Sequence, residues 1–322
     1  MNATSNPVAT FEPYRRRLLG LAYRMLGSMA DAEDAAQETY LRWHGAARDE
    51  VRDPRAFLMT TTTRICLDLL TSARARREEY VGPWLPEPVL DTTALAPDSR
   101  TELAEDLSIA LLLTLDLLSP LERAAFLLHD VFDFSFREVA TALERSEAAC
   151  RQLAARAREH VRAARPRGAT VPPARSGEIE AKHAQLLSAF IAATQSGDLN
   201  ALTQLLASDV RIWSDGGGKV RAARDVIDVG AERAARFLVD AARPHKGQWW
   251  RPDFTVRLAT INGLPGVIVD GPEGPVQTVA FEIEGDVIRA LYAVRNPDKL
   301  RHLAAATPHE RGPGPHSGVG GF

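Results

Sequence analysis

Between Tyr80 and Ser99 the sequence YVGPWLPEPVLDTTALAPDS carries Pro83, Pro86, Pro88 and Pro97 and shows little hydrophobic periodicity. Proline lacks a backbone N–H and its ring pushes the preceding residue out of the helical region, so no helix runs through such a stretch. Residues 80–100 are therefore read as an extended linker between two bodies. A second proline-bearing segment, 166–177 with Pro166, Pro172 and Pro173, divides the chain again. The 322 residues are too many for one compact core and suffice for three domains. The boundaries read this way are 1–79, 80–100, 101–165, 166–177 and 178–303. A Gly-, Pro- and His-rich tail at 304–322 is expected to be disordered or to fold back onto the body.

Before the first linker, apolar residues recur at helical spacing, as in Leu18, Leu21, Ala22 and Met25 and again in Ala35, Ala36, Tyr40 and Trp43. Acidic caps at Asp31 and Asp34, and Asp53 ahead of Pro54, predict helices near 11–27, 31–45 and 54–77. Past the linker, a helix near 101–117 precedes two capping boxes, Ser119-Pro120-Leu121-Glu122 and Ser135-Phe136-Arg137-Glu138. Another start at Ser146, just after the apolar end at Leu143, gives the spacing of a helix-turn-helix. Beyond residue 177, helices at 178–196, 199–206 and 225–242 are followed by β-rich stretches at 253–262, 265–271, 275–284 and 286–295. The turn signals Asn262-Gly263, Asp270-Gly271-Pro272 and Glu284-Gly285-Asp286 between them predict a meandering antiparallel sheet, and helices followed by strands make this part α+β.

Composition excludes several classes. Hydrophobic content of 45% with 25% charged residues is ordinary for a globular chain, and no apolar run approaches the roughly 20 residues of a membrane span. Met1–Thr10 has neither the basic start nor the apolar stretch of a secretory signal, so the chain is expected in the cytoplasm. Cys66 and Cys150 sit in apolar helical patterns without metal-ligand spacing, which predicts buried thiols rather than a disulfide or a zinc site. Net charge is −3, but every lysine (Lys182, Lys219, Lys246, Lys299) lies in the second half, leaving the first half with arginine alone. A GC-rich coding sequence would produce the same bias.

In the helix opened by Ser146, Cys150, Leu153, Ala157 and Val161 form one apolar stripe that must pack inward. The other face carries Ala148, Arg151, Gln152, Ala155 and Arg156, with Arg158 and Arg162 further along. Such a helix fits a major groove, its first turns near base edges and its later arginines on phosphates. Arg151 and Gln152 are the base-contact candidates. A solvated surface helix is the plain alternative; the capped helix ahead of it and the small residues Ala148 and Ala155 favour DNA.

FEPYRRRLLGLAYRMLGSMADAEDAAQETYLRW and DPRAFLMTTTTRICLDLLTSARARREEYVG resemble sigma domain 2, and LSPLERAAFLLHDVFDFSFREVATALERSEAACRQLAARAREHV resembles sigma domain 4. The chain is thus similar to the extracytoplasmic-function (ECF) group of the sigma-70 family. WLPEP, DGGGK at 215–219 and NPDKL at 296–300 are similar to the sigma-J-like subgroup with a C-terminal SnoaL-like domain, so the resemblance spans about residues 11–303. It implies a multidomain fold: two all-α sigma domains, the second a helix-turn-helix, followed by an α+β cone-shaped barrel of SnoaL-like (nuclear transport factor 2-like) type.

The function this resemblance implies is an RNA polymerase sigma factor, not an enzyme, with no cofactor or metal. Its partners would be core RNA polymerase and promoter DNA, with an unidentified small ligand in the C-terminal domain and no membrane. Asp31, Glu33, Asp34, Gln37 and Glu38 would face the basic coiled coil of the largest polymerase subunit, although Asp31 and Asp34 also suit a helix dipole. The −35 element would be read by Ala148, Arg151, Gln152, Ala155, Arg156, Arg158 and Arg162. The melted −10 strand would meet Arg48, Arg52, Arg55 and Arg64, with Arg74, Arg76 and Arg77 on the duplex upstream. Trp43 is a stacking candidate, a buried helix tryptophan being the commoner case.

In the third domain, Asp215, Gly216, Gly217, Gly218 and Lys219 together with Asn296, Pro297 and Asp298 would meet Trp84, Leu85 and Pro86 of the linker and act as a built-in regulator. Asp215 as a general base, with His245, Trp249 or Trp250 lining a cavity, is the enzymatic alternative, while the Asp-Gly pair reads most simply as a turn. Two other readings stay open: a helix-turn-helix regulator with a ligand-sensing domain, and a SnoaL-like cyclase or isomerase with a DNA-binding appendage.

Overall fold

The computed structural model describes residues 7–46, 51–78, 80–90, 95, 107–164, 177–243 and 253–305. The expectations for Arg48, His245, Trp249, Trp250 and the tail beyond residue 305 fall outside the described residues, as do the side chains of Arg74, Arg76 and Arg77. The chain opens with helices α1 (Pro7–Leu26), α2 (Met29–Gly45) and α3 (Pro54–Glu78). Helix α2 starts two residues before the acidic pair that was expected to cap it. Ser28 takes the cap, its side chain accepting the Asp31 N–H at 3.1 Å, and Asp31 stands in the first turn instead. Helix α3 starts as read, with Asp53 Oδ1 accepting the Ala56 N–H at 3.1 Å.

Four more helices follow: α4 (Ile109–Asp116), α5 (Pro120–Phe126), α6 (Phe136–Leu143) and α7 (Glu147–Ala164). Only Ile109–Asp116 of the helix expected at 101–117 is described as α-helix; residues 101–106 fall outside the description. Both capping boxes form, Ser119 with Glu122 and Ser135 with Glu138. A single π-helical turn, Leu127–Val131, extends α5 and ends at Phe132. Glu144 in the left-handed region (φ 54°) closes α6, and Ser146 Oγ accepts the Ala149 N–H at the start of α7. The stripe Cys150, Leu153, Ala157 and Val161 is buried as its spacing requires. The apolar faces of α1–α3 and α4–α7 merge into one core running from Phe11 to Val161.

The third domain comprises α8 (Gly177–Ser196), α9 (Leu199–Leu205), β1 (Leu206–Asp215), β2 (Ile227–Asp228), α10 (Ala231–Ala242), β3 (Thr255–Ile261), β4 (Leu264–Gly271), β5 (Gly274–Glu284) and β6 (Val287–Val294). A 3-10 turn at Pro297–Lys299 and α11 (Arg301–Ala305) follow. The six strands form one sheet in the order β2-β1-β6-β5-β4-β3. Strands β3 to β6 make the expected antiparallel meander, but β1 lies parallel to β6. The sequence reading missed β1, although Val210, Ile212 and Ser214 alternate into the interior. It also began the helix at 225–242 too early: Ile227–Asp228 pairs with β1, and Gly230 at φ 79° turns the chain into α10.

Both faces of the sheet are covered. One packs on α8–α10 through Phe190, Leu238, Val279 and Phe281. The other packs Ile268, Ala280 and Tyr292 against Leu85 of the linker, Ile109 of α4 and Leu300 and Leu303 near the C-terminal helix. Strands buried on both sides read as near-continuous apolar runs, which accounts for VIV in β4 and TVAFEI in β5. Among the described residues no helix is long and apolar enough to cross a membrane.

Candidate functional site

The linker runs extended from Tyr80 to Val89 between the α1–α2 turn and the second face of the sheet. Its grip on the sheet centres on Asp215, the last residue of β1, which is wholly buried. One carboxylate oxygen accepts the Tyr80 hydroxyl at 2.5 Å and the Gly217 N–H at 3.1 Å; the other accepts the Leu85 N–H at 2.9 Å and the Lys299 ammonium at 2.7 Å. Lys299 also donates to the Leu85 carbonyl and lies 4.4 Å from the Trp84 ring centroid. Four donors, one of them an ammonium, thus commit both oxygens of this buried carboxylate and offset the hydration it loses. Burial and the adjoining Asp215 carboxylate push the Tyr80 phenol above its ordinary value, so Tyr80 remains a donor.

The glycine run serves this contact. Gly217 sits at φ 58°, and a Cβ there would lie 2.2 Å from Asn296 Nδ2 and 3.0 Å from the Tyr80 hydroxyl. Asn296 in turn donates to Tyr80, and Lys219 pairs with Asp298, holding the Asp298 carboxyl below the usual range. Of the residues expected here, Trp84, Leu85, Asp215, Gly217, Gly218 and Asn296 all border the linker contact, while Lys219 and Asp298 brace its rim. Gly216 instead packs against the Val220 carbonyl, and Pro297 opens the 3-10 turn that carries Lys299. Pro86 is buried in the linker and makes no hydrogen bond among the described residues.

The sequence reading assigned no role to four residues at the centre of the contact. Asn262, read as the first half of an Asn-Gly hairpin turn, does make that turn at φ 49°. Its buried amide also joins three other parts of the molecule. Oδ1 accepts the Val89 N–H of the linker at 3.0 Å, and Nδ2 donates to the Tyr23 hydroxyl of α1 at 2.7 Å and to the Leu107 carbonyl ahead of α4 at 3.3 Å. Tyr23 passes the chain on to the Glu87 carbonyl at 2.6 Å. The Glu87 carboxylate then accepts from Ser28 Oγ at 2.9 Å and from the Met29 N–H at 2.7 Å, serving the N-terminus of α2 from the linker. Lys299 completes the set. In advance, Asn262 gave a turn signal, and Glu87 and Lys299 stood inside the quoted motifs WLPEP and NPDKL with no role of their own.

The two arginine-bearing helices differ. On α7, Ala148, Arg151, Gln152, Ala155, Arg156 and Arg162 are exposed and Arg158 is half-buried, so these residues share an open face. Arg151 pairs with Glu147 at 2.7 Å, Arg156 with Glu122 at 2.9 Å and Arg158 with Asp130 at 2.7 Å. The Arg151–Glu147 pair is solvated and of little strength, so an incoming base or phosphate can replace it, whereas the Glu122 carboxylate that holds Arg156 is buried. On α3, Arg55 and Arg64 lie against the helix-turn-helix domain. Arg55 donates to the Phe132 carbonyl at 2.8 Å, with its guanidinium 4.5 Å from the Phe134 ring centroid. Arg64 donates to the carbonyls of Ala142 and Thr141 and pairs with Glu144 at 3.1 Å. Arg52 is exposed. Trp43 is buried, donates its Nε1–H to the Pro7 carbonyl and packs on Phe57, so it is a core residue in this arrangement.

On α2, Glu33, Asp34 and Gln37 form an exposed acidic strip, with Asp31 half-buried and Glu38 paired to Arg42 at 2.9 Å. Asp215, the candidate base, is surrounded by linker and glycine loop and is not among the residues lining the barrel cavity.

A model of sigma-70 region 2 matches residues 10–76, and one of sigma-70 region 4 matches residues 108–161. Over 303 residues the chain is 38% identical to the ECF RNA polymerase sigma factor SigJ of Mycobacterium tuberculosis, covering 91% of this chain and 93% of that one. The probable ECF RNA polymerase sigma factor SigI of the same species is 30% identical over 299 residues, covering 92% and 96%. The crystal structure of M. tuberculosis SigJ matches with a TM-score of 0.65 at 35% identity, covering 91% of this chain and 98% of that chain.

Proposed function

Because the chain belongs to the extracytoplasmic-function family of RNA polymerase sigma factors, we propose that it directs core polymerase to promoters in the cytoplasm and that its third, SnoaL-like domain governs when it does so. The acidic strip of α2 (Asp31, Glu33, Asp34, Gln37, Glu38) is the polymerase-docking surface, where charge sets rate and register. The open face of α7 reads the −35 element through Arg151 and Gln152, with Arg156, Arg158 and Arg162 on phosphates. Arg52, Arg55 and Arg64 serve the melted −10 strand once α3 is free of the helix-turn-helix domain.

The observation that carries the regulatory part is the Asp215 carboxylate, which holds Tyr80, Leu85 and Lys299 together. While it grips the linker, the two sigma domains share one core and Arg55 and Arg64 are committed to backbone carbonyls of the second. Release of the linker frees both. This is a two-state equilibrium whose position depends on differential contacts in the closed and open forms.

The test is transcription from a cognate promoter with core polymerase and the full-length chain. Asp215→Ala should raise output above wild type; output equal to wild type would remove the clamp from the account. A gel shift separates the remaining alternative. A sigma factor shows weak DNA binding until polymerase is added, whereas a free-standing helix-turn-helix regulator binds duplex DNA equally well without it.

A further inference from the structure

Among the described arginines of α7, Arg151 alone lies over an aromatic ring: its guanidinium carbon is 5.3 Å from the centroid of Phe136, the first residue of α6. Phe136 is half-buried and packs against the helical core. Its ring stacks on the His129 imidazole, with centroids 3.9 Å apart and an interplanar angle of 29°. His129 belongs to the π-helical turn Leu127–Val131. The Phe134 carbonyl can only accept, so His129 carries a proton on Nδ1 and donates it there at 2.7 Å. The Phe134 N–H returns to the Leu128 carbonyl at 2.9 Å, which ties the imidazole, the loop after the π-helical turn and the Phe136 ring together.

Arg151 is also held at one edge. Glu147 accepts from its Nη2 at 2.7 Å, while Nε–H and Nη1–H make no hydrogen bond among the described residues. Arg156 and Arg158 are held differently, by the Glu122 and Asp130 carboxylates, with no ring beneath them. An exposed arginine loses rotamer freedom when it binds, and a ring that already confines the guanidinium lowers that loss. What is gained depends on the target. A phosphate accepts hydrogen bonds over a wide range of directions, whereas O6 and N7 of guanine lie on one edge in the major groove and reward a fork held in a fixed place.

We infer that Phe136, backed by His129, is a positioning residue for −35 recognition, holding the Arg151 fork so that it reads a guanine rather than a neighbouring phosphate. The inference rests on the reading of α7 as the −35 helix and adds to it the base that is read and the means of reading it. The Ser135–Glu138 capping box and the buried Val139 anchor α6 without the Phe136 ring, so the ring can be exchanged while the helix stays in place.

The test uses core polymerase with the full-length chain and a pool of duplexes randomised across the −35 element, read as base preference at each position. One position should prefer guanine in the wild type, and Arg151→Ala should lower that preference about tenfold. Phe136→Leu should lower it about threefold and leave the other positions unchanged. Phe136→Tyr restores a ring and should keep the wild-type preference, a rescue that a merely space-filling side chain would not need. In the Arg151→Ala background, Phe136→Leu should change nothing further at that position. Four results would each overturn the inference while the −35 reading stands: an unchanged guanine preference in Phe136→Leu, an equal loss in Phe136→Tyr, a loss spread over all positions, or a base other than guanine at the position lost in Arg151→Ala. An Arg151→Ala profile identical to wild type would overturn the inference together with the role given to Arg151.

Discussion

Helices α3 and α7 carry the two sets of arginines expected to meet promoter DNA, and they stand in opposite circumstances. On α7 the reading face is open, and its Arg151 is held by a solvated pair with Glu147 and by the Phe136 ring 5.3 Å away. On α3, Arg55 and Arg64 donate to carbonyls that helix geometry leaves without intrahelical partners: Phe132 after the π-helical turn, and Thr141 and Ala142 in the last turn of α6. Arg17 of α1 reaches the same Phe132 carbonyl at 3.1 Å. An arginine fork suits an anionic phosphate and a row of helix-end carbonyls alike. On the proposed function, the α7 face is therefore open to the −35 element in this arrangement, whereas Arg55 and Arg64 reach the −10 strand only once the domains part.

The largest expected effect comes from opening that arrangement at its buried ion pair. Asp215→Ala leaves Lys299 uncompensated and should cost about 3–5 kcal/mol of stability in the closed form. Fluorophores at Asp68 and Arg162, both exposed, would report it as an increased separation, and the buried Cys66 and Cys150 would not compete for label. An unchanged distance would mean that the linker contact does not hold the domains together.

Next in size is the double variant Arg55→Ala with Arg64→Ala. Each charge-assisted bond contributes about 1.5–3 kcal/mol, so the closed form loosens while contact with the melted strand is lost. Promoter opening should fall even though the label separation grows; a rise in opening would assign these arginines to the closed form alone. Arg151→Ala or Gln152→Ala should relax selectivity at one −35 position by about 1–3 kcal/mol in polymerase-bound gel shifts and leave the label separation unchanged. Loss spread evenly over all promoter positions would instead make these residues phosphate contacts.

The smallest effect is alkaline. Tyr80 keeps its proton in the folded chain above the ordinary tyrosine value of about 10, so its contribution is complete below that pH and is lost as pH rises through the higher folded value. Tyr80→Phe should lower stability by about 1 kcal/mol at neutral pH and flatten the decline above about pH 10. An identical alkaline slope in wild type and variant would show that Tyr80 does not carry it.

Much of the helical half was legible. Ser119-x-x-Glu122 and Ser135-x-x-Glu138 are local signals whose donors and acceptors lie three residues apart, and both formed as read. At α2 the acids drew attention from Ser28, because a serine cap and an acidic first turn carry the same kind of signal. Strand β1 was missed because Leu199–Leu205 is helical and no turn residue separates it from Leu206; only the alternation from Val210 onward marked the change. In the linker contact, the resemblance pointed to Asp215 and the glycine loop, but Asn262, Tyr23 and Glu87 carry no pattern in sequence that tells of a distant partner.

The sequence by itself determined where helices begin, where proline forbids them, and which stripe of α7 faces inward, since each depends on neighbours within a turn or two. The tertiary structure alone decided what Asn262, Arg55 and Arg64 touch, and which atoms of the linker Asp215 holds. Their partners lie 130 residues away for Asp215 and Leu85, 239 for Asn262 and Tyr23, and 77 for Arg55 and Phe132. A buried hydrogen-bonding group must be satisfied by whatever the packed core brings beside it, and that neighbour is chosen by the meeting of domains rather than by the order of residues along the chain.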